Sequence, residues 1–186
     1  MPAFLATLVD LCRFRRGPED MPYAPPFLIG LLVACGVLQV LFNLYQGANP
    51  RLVAAALLAG LAVIGMLFLL LRGRGKSARF VQTLTALAAV YLLFGIITDG
   101  LALALPLKAW RAQLLAHPQQ LPAIAGSQVL VVLVIILLGI WQLCISIHVL
   151  RRALDTSGAG AALVFLLLFV VDWFAASLLA AAIGVA

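Results

Sequence analysis

The stretch from Leu52 to Leu101 reads "LVAAALLAGLAVIGMLFLLLRGRGKSARFVQTLTALAAVYLLFGIITDGL". It holds two apolar runs, Leu52–Leu71 and Phe80–Leu101, separated by the basic segment "RGRGKSAR" at Arg72–Arg79. Each run reaches the roughly 20 apolar residues that an α-helix needs to cross a bilayer. In hydrocarbon every backbone N–H and C=O must be satisfied within the segment, so both runs are read as helices. The basic segment is long enough for a tight turn and little more. The stretch therefore reads as an antiparallel pair of spans closed by a charged hairpin.

Three further runs of the same kind flank this pair: Phe27–Tyr45, Gln128–Leu150 and about Gly160–Val185. The chain of 186 residues is 66% hydrophobic and only 10% charged, with a mean hydropathy of +1.20. A water-soluble domain is about half apolar and about a quarter charged, so a soluble fold is excluded. The predicted fold is all-α: a polytopic membrane bundle of five transmembrane helices, with no sizeable domain outside the membrane. Residues 1–26 form a cytoplasmic interfacial helix and a proline-rich approach, and residues 27–186 form the bundle.

Charge gives the expected orientation. With the N-terminus inside, the inner segments hold Arg13, Arg15, Arg16, Arg72, Arg74, Lys76, Arg79, Arg151 and Arg152, which is 9 of the 12 basic residues. The outer segments hold only Arg51, Lys108 and Arg111. Short loops rich in Lys and Arg stay in the cytoplasm, so the expectation is a multi-pass protein of a bacterial inner membrane, N-terminus cytoplasmic and C-terminus periplasmic. The net charge of +6 is accounted for by this asymmetry. No basic stripe with interleaved aromatics exists to hold nucleic acid.

Two short helices are expected beside the spans. Phe4, Leu5, Leu8, Leu11 and Cys12 recur at helical spacing, with Ala6, Asp10 and Arg13 opposite, as in an amphipathic helix at the inner interface. Between spans three and four, Leu107, Trp110 and Leu114 share one face beside Lys108 and Arg111. This reads as a short helix on the outer surface, ended by Pro118 and Pro122. Asp155, Thr156 and Ser157 are candidate caps for the fifth span.

The segment "CRFRRGPEDMPYAPP" at Cys12–Pro26 joins the first helix to the first span. Arg13, Arg15 and Arg16 suit anionic lipid headgroups, and the prolines stiffen the turn. Glu19 and Asp20 are not needed for an anchor. They are expected either to pair with the basic hairpin Arg72–Arg79 or to form a docking site with the three arginines.

Several motif resemblances fail on context. "LVAC" at Leu32–Cys35 has the shape of a lipoprotein processing site, but the apolar run continues past Cys35 to Tyr45. Arg15-Arg16 is followed by Gly-Pro-Glu-Asp rather than an apolar region, which removes a twin-arginine export signal. "GRGKS" at Gly73–Ser77 lacks the earlier glycine and strand of a phosphate-binding loop. Cys12, Cys35 and Cys144 show no metal or disulfide spacing. His117 and His148 are isolated, and Glu19 is the single glutamate. No catalytic constellation, metal set or cofactor motif emerges, so a non-enzymatic protein is expected. Ala56 and Gly60, and Ala176, Ala180 and Gly184, have the small-residue spacing of close helix contacts, internal or between copies.

Ionisable groups inside spans are costly and point to function or to paired packing. There are two, Asp99 and Asp172. At 1.5 Å per residue, Asp172 and Gln39 both lie about 18 Å from the inner face and Gln142 about 12 Å. A polar intramembrane site is expected from Asp172, Gln39 and Gln142, flanked by Trp141 and Trp173. The other reading of the same group is a neutral Asp172 hydrogen-bonded to a glutamine, pinning helices together. Asp99 lies near the outer end of span three at a level reachable from Asn43, and the two make a secondary polar site.

The element "FRRGPEDMPYAP" at Phe14–Pro25 resembles a group of small, uncharacterised proteobacterial inner-membrane proteins. These open with a short helix and an Arg-Arg-Gly-Pro-x-Asp-x-Pro element, matched here by Arg15, Arg16, Gly17, Pro18, Asp20 and Pro22. The five-span, N-inside layout is also similar to the Yip family of membrane-trafficking proteins, although that family's Asp-Leu-Tyr-Gly-Pro element is absent. Two functions remain open from sequence. One is a partner-binding or membrane-organising subunit, with a membrane-protein partner or a second copy. The other is a small transporter or carrier subunit using Asp172, Gln39 and Gln142.

Overall fold

A computed structural model describes residues 2–117, 119–120 and 125–184. Among these the chain forms seven helices and no strand. α1 is Pro2–Cys12, α2 Pro25–Tyr45, α3 Pro50–Gly73, α4 Phe80–Ala102, α5 Leu107–Ala116, α6 Gly126–Leu154 and α7 Gly158–Ala182. Of these, α2, α3, α4, α6 and α7 are long and apolar enough to cross a membrane, so the chain is a multi-pass membrane protein. Pro118, Pro122 and Val185, expected to end α5 and the fifth span, lie outside the described residues.

The spans start and stop where backbone chemistry allows. Pro25 and Pro50 open α2 and α3, where a missing N–H costs nothing. The Asn49 side chain accepts from the Arg51 N–H at 2.9 Å. The basic hairpin turns through Gly75, whose positive φ of 69° an L side chain would resist. A 3-10 turn at Ser77–Arg79 then runs straight into α4. Of the three candidate caps for α7, Ser157 serves, accepting from the Gly160 N–H at 3.1 Å. Asp155 instead ends α6 in a left-handed conformation and pairs with Lys76 and Arg79.

The five spans close a ring in the order α2, α4, α6, α7, α3 and back to α2. The end carrying the basic hairpin, called here the basic end, is close-packed. Leu28, Leu67, Leu71, Leu84, Leu150, Leu154 and Leu168 meet there from all five spans. A second core lies on the other side of α4. Leu8 and Leu11 of α1, with Met21, pack against Ala86, Val90 and Phe94 of α4 and Ile145 and Val149 of α6. α4 is thus enclosed from two sides: 44% of its apolar stretch is buried, against 6% in α6 and in α7. Its small buried residues, Ala86, Ala88 and Ala89, let neighbours approach closely.

The opposite end, the far end, is looser. α6 has no buried residue before Ile145, and α7 none after Leu168. α3 keeps buried residues there, among them Ala55 and Ala59, which lie one position away from the predicted pair Ala56 and Gly60. Both pairs have the same spacing; the identity of the neighbour, α7, selects the face. The short helix α5 lies at this end, with Leu107 and Trp110 half-buried and Lys108 over the Tyr45 ring at 4.4 Å.

Candidate functional site

Two polar arrangements stand out from the apolar bundle, one at each end. At the basic end, residues 12–21 are strapped across α4 and α6 by side chains that seize backbone carbonyls. Trp141 Nε1 donates to Cys12 O at 3.1 Å. His148 Nε2 lies 3.0 Å from Arg16 O, and because a carbonyl only accepts, that nitrogen carries the proton. The Gln82 amide donates to both Glu19 O (3.0 Å) and Met21 O (2.9 Å). A short segment with few backbone partners of its own has its carbonyls satisfied by the spans it crosses.

The charged residues of this segment complete the strap. Arg16 pairs with Asp10 at 3.2 Å and donates to Thr7 Oγ1 at 3.0 Å. The Asp20 carboxylate accepts from Gly17 N–H and closes the 3-10 turn Pro18–Asp20. Glu19 pairs with Arg152 at 3.4 Å, not with the hairpin Arg72–Arg79. The hairpin's Lys76 and Arg79 are already held by Asp155, which explains the difference. Phe14 sits at φ 60°, a conformation that strains a bulky residue by about 1–3 kcal/mol. Its ring meets His148 edge-on at 5.5 Å, which holds it there. Burial pushes the Cys12 thiol above its ordinary value.

At the far end, a cleft of about 170 Å³ opens between α2, α4 and α6. Gln39, Phe42 and Asn43 line it from α2, Tyr91, Gly95, Thr98 and Asp99 from α4, and Gln142 from α6. On α2 and α4 these positions recur every three or four residues, so each presents one face to the cleft, and α6 adds Gln142 alone. Gly95 sets the approach of α2: a Cβ there would come within 3.0 Å of Leu38 Cδ2. The Asn43 amide N–H donates to Gln39 O at 2.8 Å, and the Thr98 hydroxyl donates to Phe94 O at 2.8 Å. Gln39, Gln142 and Asp99 make no side-chain hydrogen bond or ion pair among the described residues.

The sequence-predicted residues are distributed as follows. Gln39, Gln142, Asp99 and Asn43, expected in two sites, share the one cleft. Asp172 is not among its lining residues. Asp172 continues the α7 stripe of Ala161, Val164, Phe165 and Leu168 that faces the core, one turn beyond the last buried residue. It is exposed there, where α7 no longer has a buried residue. Trp141 is turned to the strap, and Trp173 is 64% exposed on the outside of α7. Tyr91, Thr98, Phe42 and Gln82 were not singled out in the sequence. Tyr91, Gly95 and Thr98 recur at i, i+4 and i+7 along α4, a face beside Asp99, whereas Gln82 had no signal beyond being polar within a span.

No protein-family model, curated protein or solved structure matches the chain.

Proposed function

We propose that this membrane protein binds a small polar solute at its far end, as a carrier or a solute-binding subunit without chemistry of its own. The observation that supports this most is the placement of polarity. Gln39, Asn43, Tyr91, Thr98, Asp99 and Gln142 converge on one cleft. Intramembrane polar groups that only pin helices are expected to be paired with one another, and the two glutamines and both carboxyls are not. The apolar plug of Leu28, Leu67, Leu71, Leu84 and Leu150 beneath them closes the other end, as a site open to one side requires.

The partner-binding reading keeps one observation of its own. Arg13, Arg15 and Arg151 form no ion pair among the described residues and lie with the strap at the basic end. They suit anionic headgroups or an acidic partner. We further propose that the basic end faces the cytoplasm, on the distribution of Lys and Arg, in a bacterial inner membrane. Kinship with the proteobacterial proteins sharing the Arg15–Pro22 element, or with Yip proteins, is proposed on that element and on layout.

The test is a melting-temperature survey of the purified protein with classes of small polar solute: amines, polyols, amides and carboxylates. A ligand that binds only the folded form raises Tm with its concentration. One class is expected to do so, and the rise is expected to vanish in the double variant Asp99→Asn, Asp172→Asn. Absence of stabilisation by every class would sink the reading.

A further inference from the structure

Within that solute-binding reading, we infer the class of solute: the far-end cleft is a site for a small organic cation, an alkylammonium of few carbons. The argument is an inventory of what its walls have left to offer. One Asn43 N–H is spent on Gln39 O, so the side chain keeps its Oδ1 and one N–H. The Thr98 proton is spent on Phe94 O, so lone pairs are what its oxygen has left. Asp99, when ionised, only accepts. No Lys, Arg or His lines the cleft. Lys108 of α5, at the same end, is engaged with the Tyr45 ring. What remains is one carboxylate with no cation in the walls, beside amides and hydroxyls that can turn either a donor or an acceptor inward. An anion would meet no positive charge there, and a neutral polyol would leave the carboxylate unneutralised.

Two further features separate an organic cation from a metal ion. Phe42 and Tyr91 line the same cleft, and aromatic faces attract ammonium groups, with a larger effect where water is excluded. Leu38 and Phe42 make part of the wall apolar, which suits the alkyl groups of an organic cation better than the water shell of a metal ion. The volume of about 170 Å³ corresponds to about six waters. That is room for a methylated or ethyl ammonium, not for a lipid or a nucleotide. Gln39 and Gln142, whose amides can turn either oxygen or nitrogen inward, give the site tolerance for a hydroxyl or a second donor on the ligand.

The experiment is calorimetric titration of the full chain in detergent micelles at constant ionic strength. The probes are tetramethylammonium chloride, ethylammonium chloride, sodium chloride, glycerol and sodium acetate. Saturable binding of the two ammonium salts alone is expected. Asp99→Asn is expected to weaken it by at least about tenfold, the effect of losing about 1.4 kcal/mol. Phe42→Leu, which keeps the volume and removes the ring, is expected to weaken it severalfold without changing the melting temperature of the empty protein. This second variant carries the test if Asp99→Asn fails to fold. Saturable binding of glycerol or acetate in place of the ammonium salts overturns the assignment of class and leaves solute binding standing. Binding of sodium with equal affinity also overturns it. Heat from none of the five overturns the class, and the survey across all solute classes then decides whether solute binding falls with it.

Discussion

The two ends of this bundle are built from the same helices and behave as opposites. At the basic end, leucines from all five spans interlock, and a strap held by Gln82, Trp141 and His148 crosses α4 and α6. At the far end α6 and α7 have no fully buried residue, and the cleft is lined by amides, hydroxyls and the Asp99 carboxyl beside Leu38, Phe42 and Gly95. Apolar side chains gain little from leaving lipid for one another, so spans associate through close packing and hydrogen bonds. One end of this ring uses both. The other withholds both and leaves polar groups unpaired.

This contrast is most sharply broken by emptying the tight end. Leu150 is fully buried where five spans meet. Leu150→Ala is expected to destabilise the bundle by about 2–5 kcal/mol, the range for a cavity that cannot collapse. Reversible unfolding in mixed micelles of increasing denaturing detergent would read it. A loss comparable to that of an exposed leucine such as Leu137 would mean that the basic end is not the packed one. Next comes the strap. Gln82→Ala leaves two carbonyls without their donor and is expected to cost about 1–3 kcal/mol. It also has a local signature. In a variant with Cys12 as its single cysteine, burial holds the thiol above its ordinary value, so the reactive thiolate is scarce near neutral pH. Releasing the strap lowers that value toward the ordinary one and should speed maleimide labelling at fixed pH. Unchanged labelling would show that Gln82 does not hold the segment.

Much of this layout was legible in residues, and the rest was hidden for identifiable reasons. Spans are long, uniform and nearly free of charge, so α2, α3, α4, α6 and α7 follow from length and composition. Their ends shift by a few residues because prolines and caps, not hydropathy, set them: α2 begins at Pro25, α6 runs on to Leu154. The neighbour relations were not legible. Helices in lipid are apolar on every side, so no stripe on α3 announces α7 as its neighbour, and Ala56 and Gly60 look as suitable as Ala55 and Ala59. Depth alone grouped Gln39 and Gln142 correctly in height but could not say which wall each occupied. It therefore placed Asp172 beside them, although Asp172 does not line the cleft, and set Asp99 and Asn43 apart, although both do. Glu19 was marked as a residue needing a partner. Which arginine it takes depends on Asp155 having claimed the hairpin first, a competition among charges distant in sequence.

That competition supplies the smaller tests. Glu19→Ala is expected to cost no more than about 1 kcal/mol, since both partners of the Glu19–Arg152 pair are about half exposed and salt screens them. The cost should fade at high ionic strength, whereas that of Gln82→Ala should not. Persistence of the Glu19 effect in salt would assign it to packing of the Pro18–Asp20 turn rather than to charge.

The smallest effect is expected at the far end. Gln142→Leu replaces a half-buried amide that makes no side-chain hydrogen bond with an apolar group of similar length. Nothing bonded is lost and a polar group is removed from a membrane-facing cleft, so stability should change by no more than about 0.5 kcal/mol, or rise. At the basic end the analogous change, Gln82→Leu, removes two donors from two carbonyls and should destabilise. The pair of leucine variants therefore measures the same chemical replacement in two settings. Opposite signs, or a clear cost against none, mean that polarity at the basic end holds the fold while polarity at the far end is kept in spite of it. A cost for Gln142→Leu as large as that for Gln82→Leu would make the far-end amides structural and remove the ground for reading their cleft as a binding site.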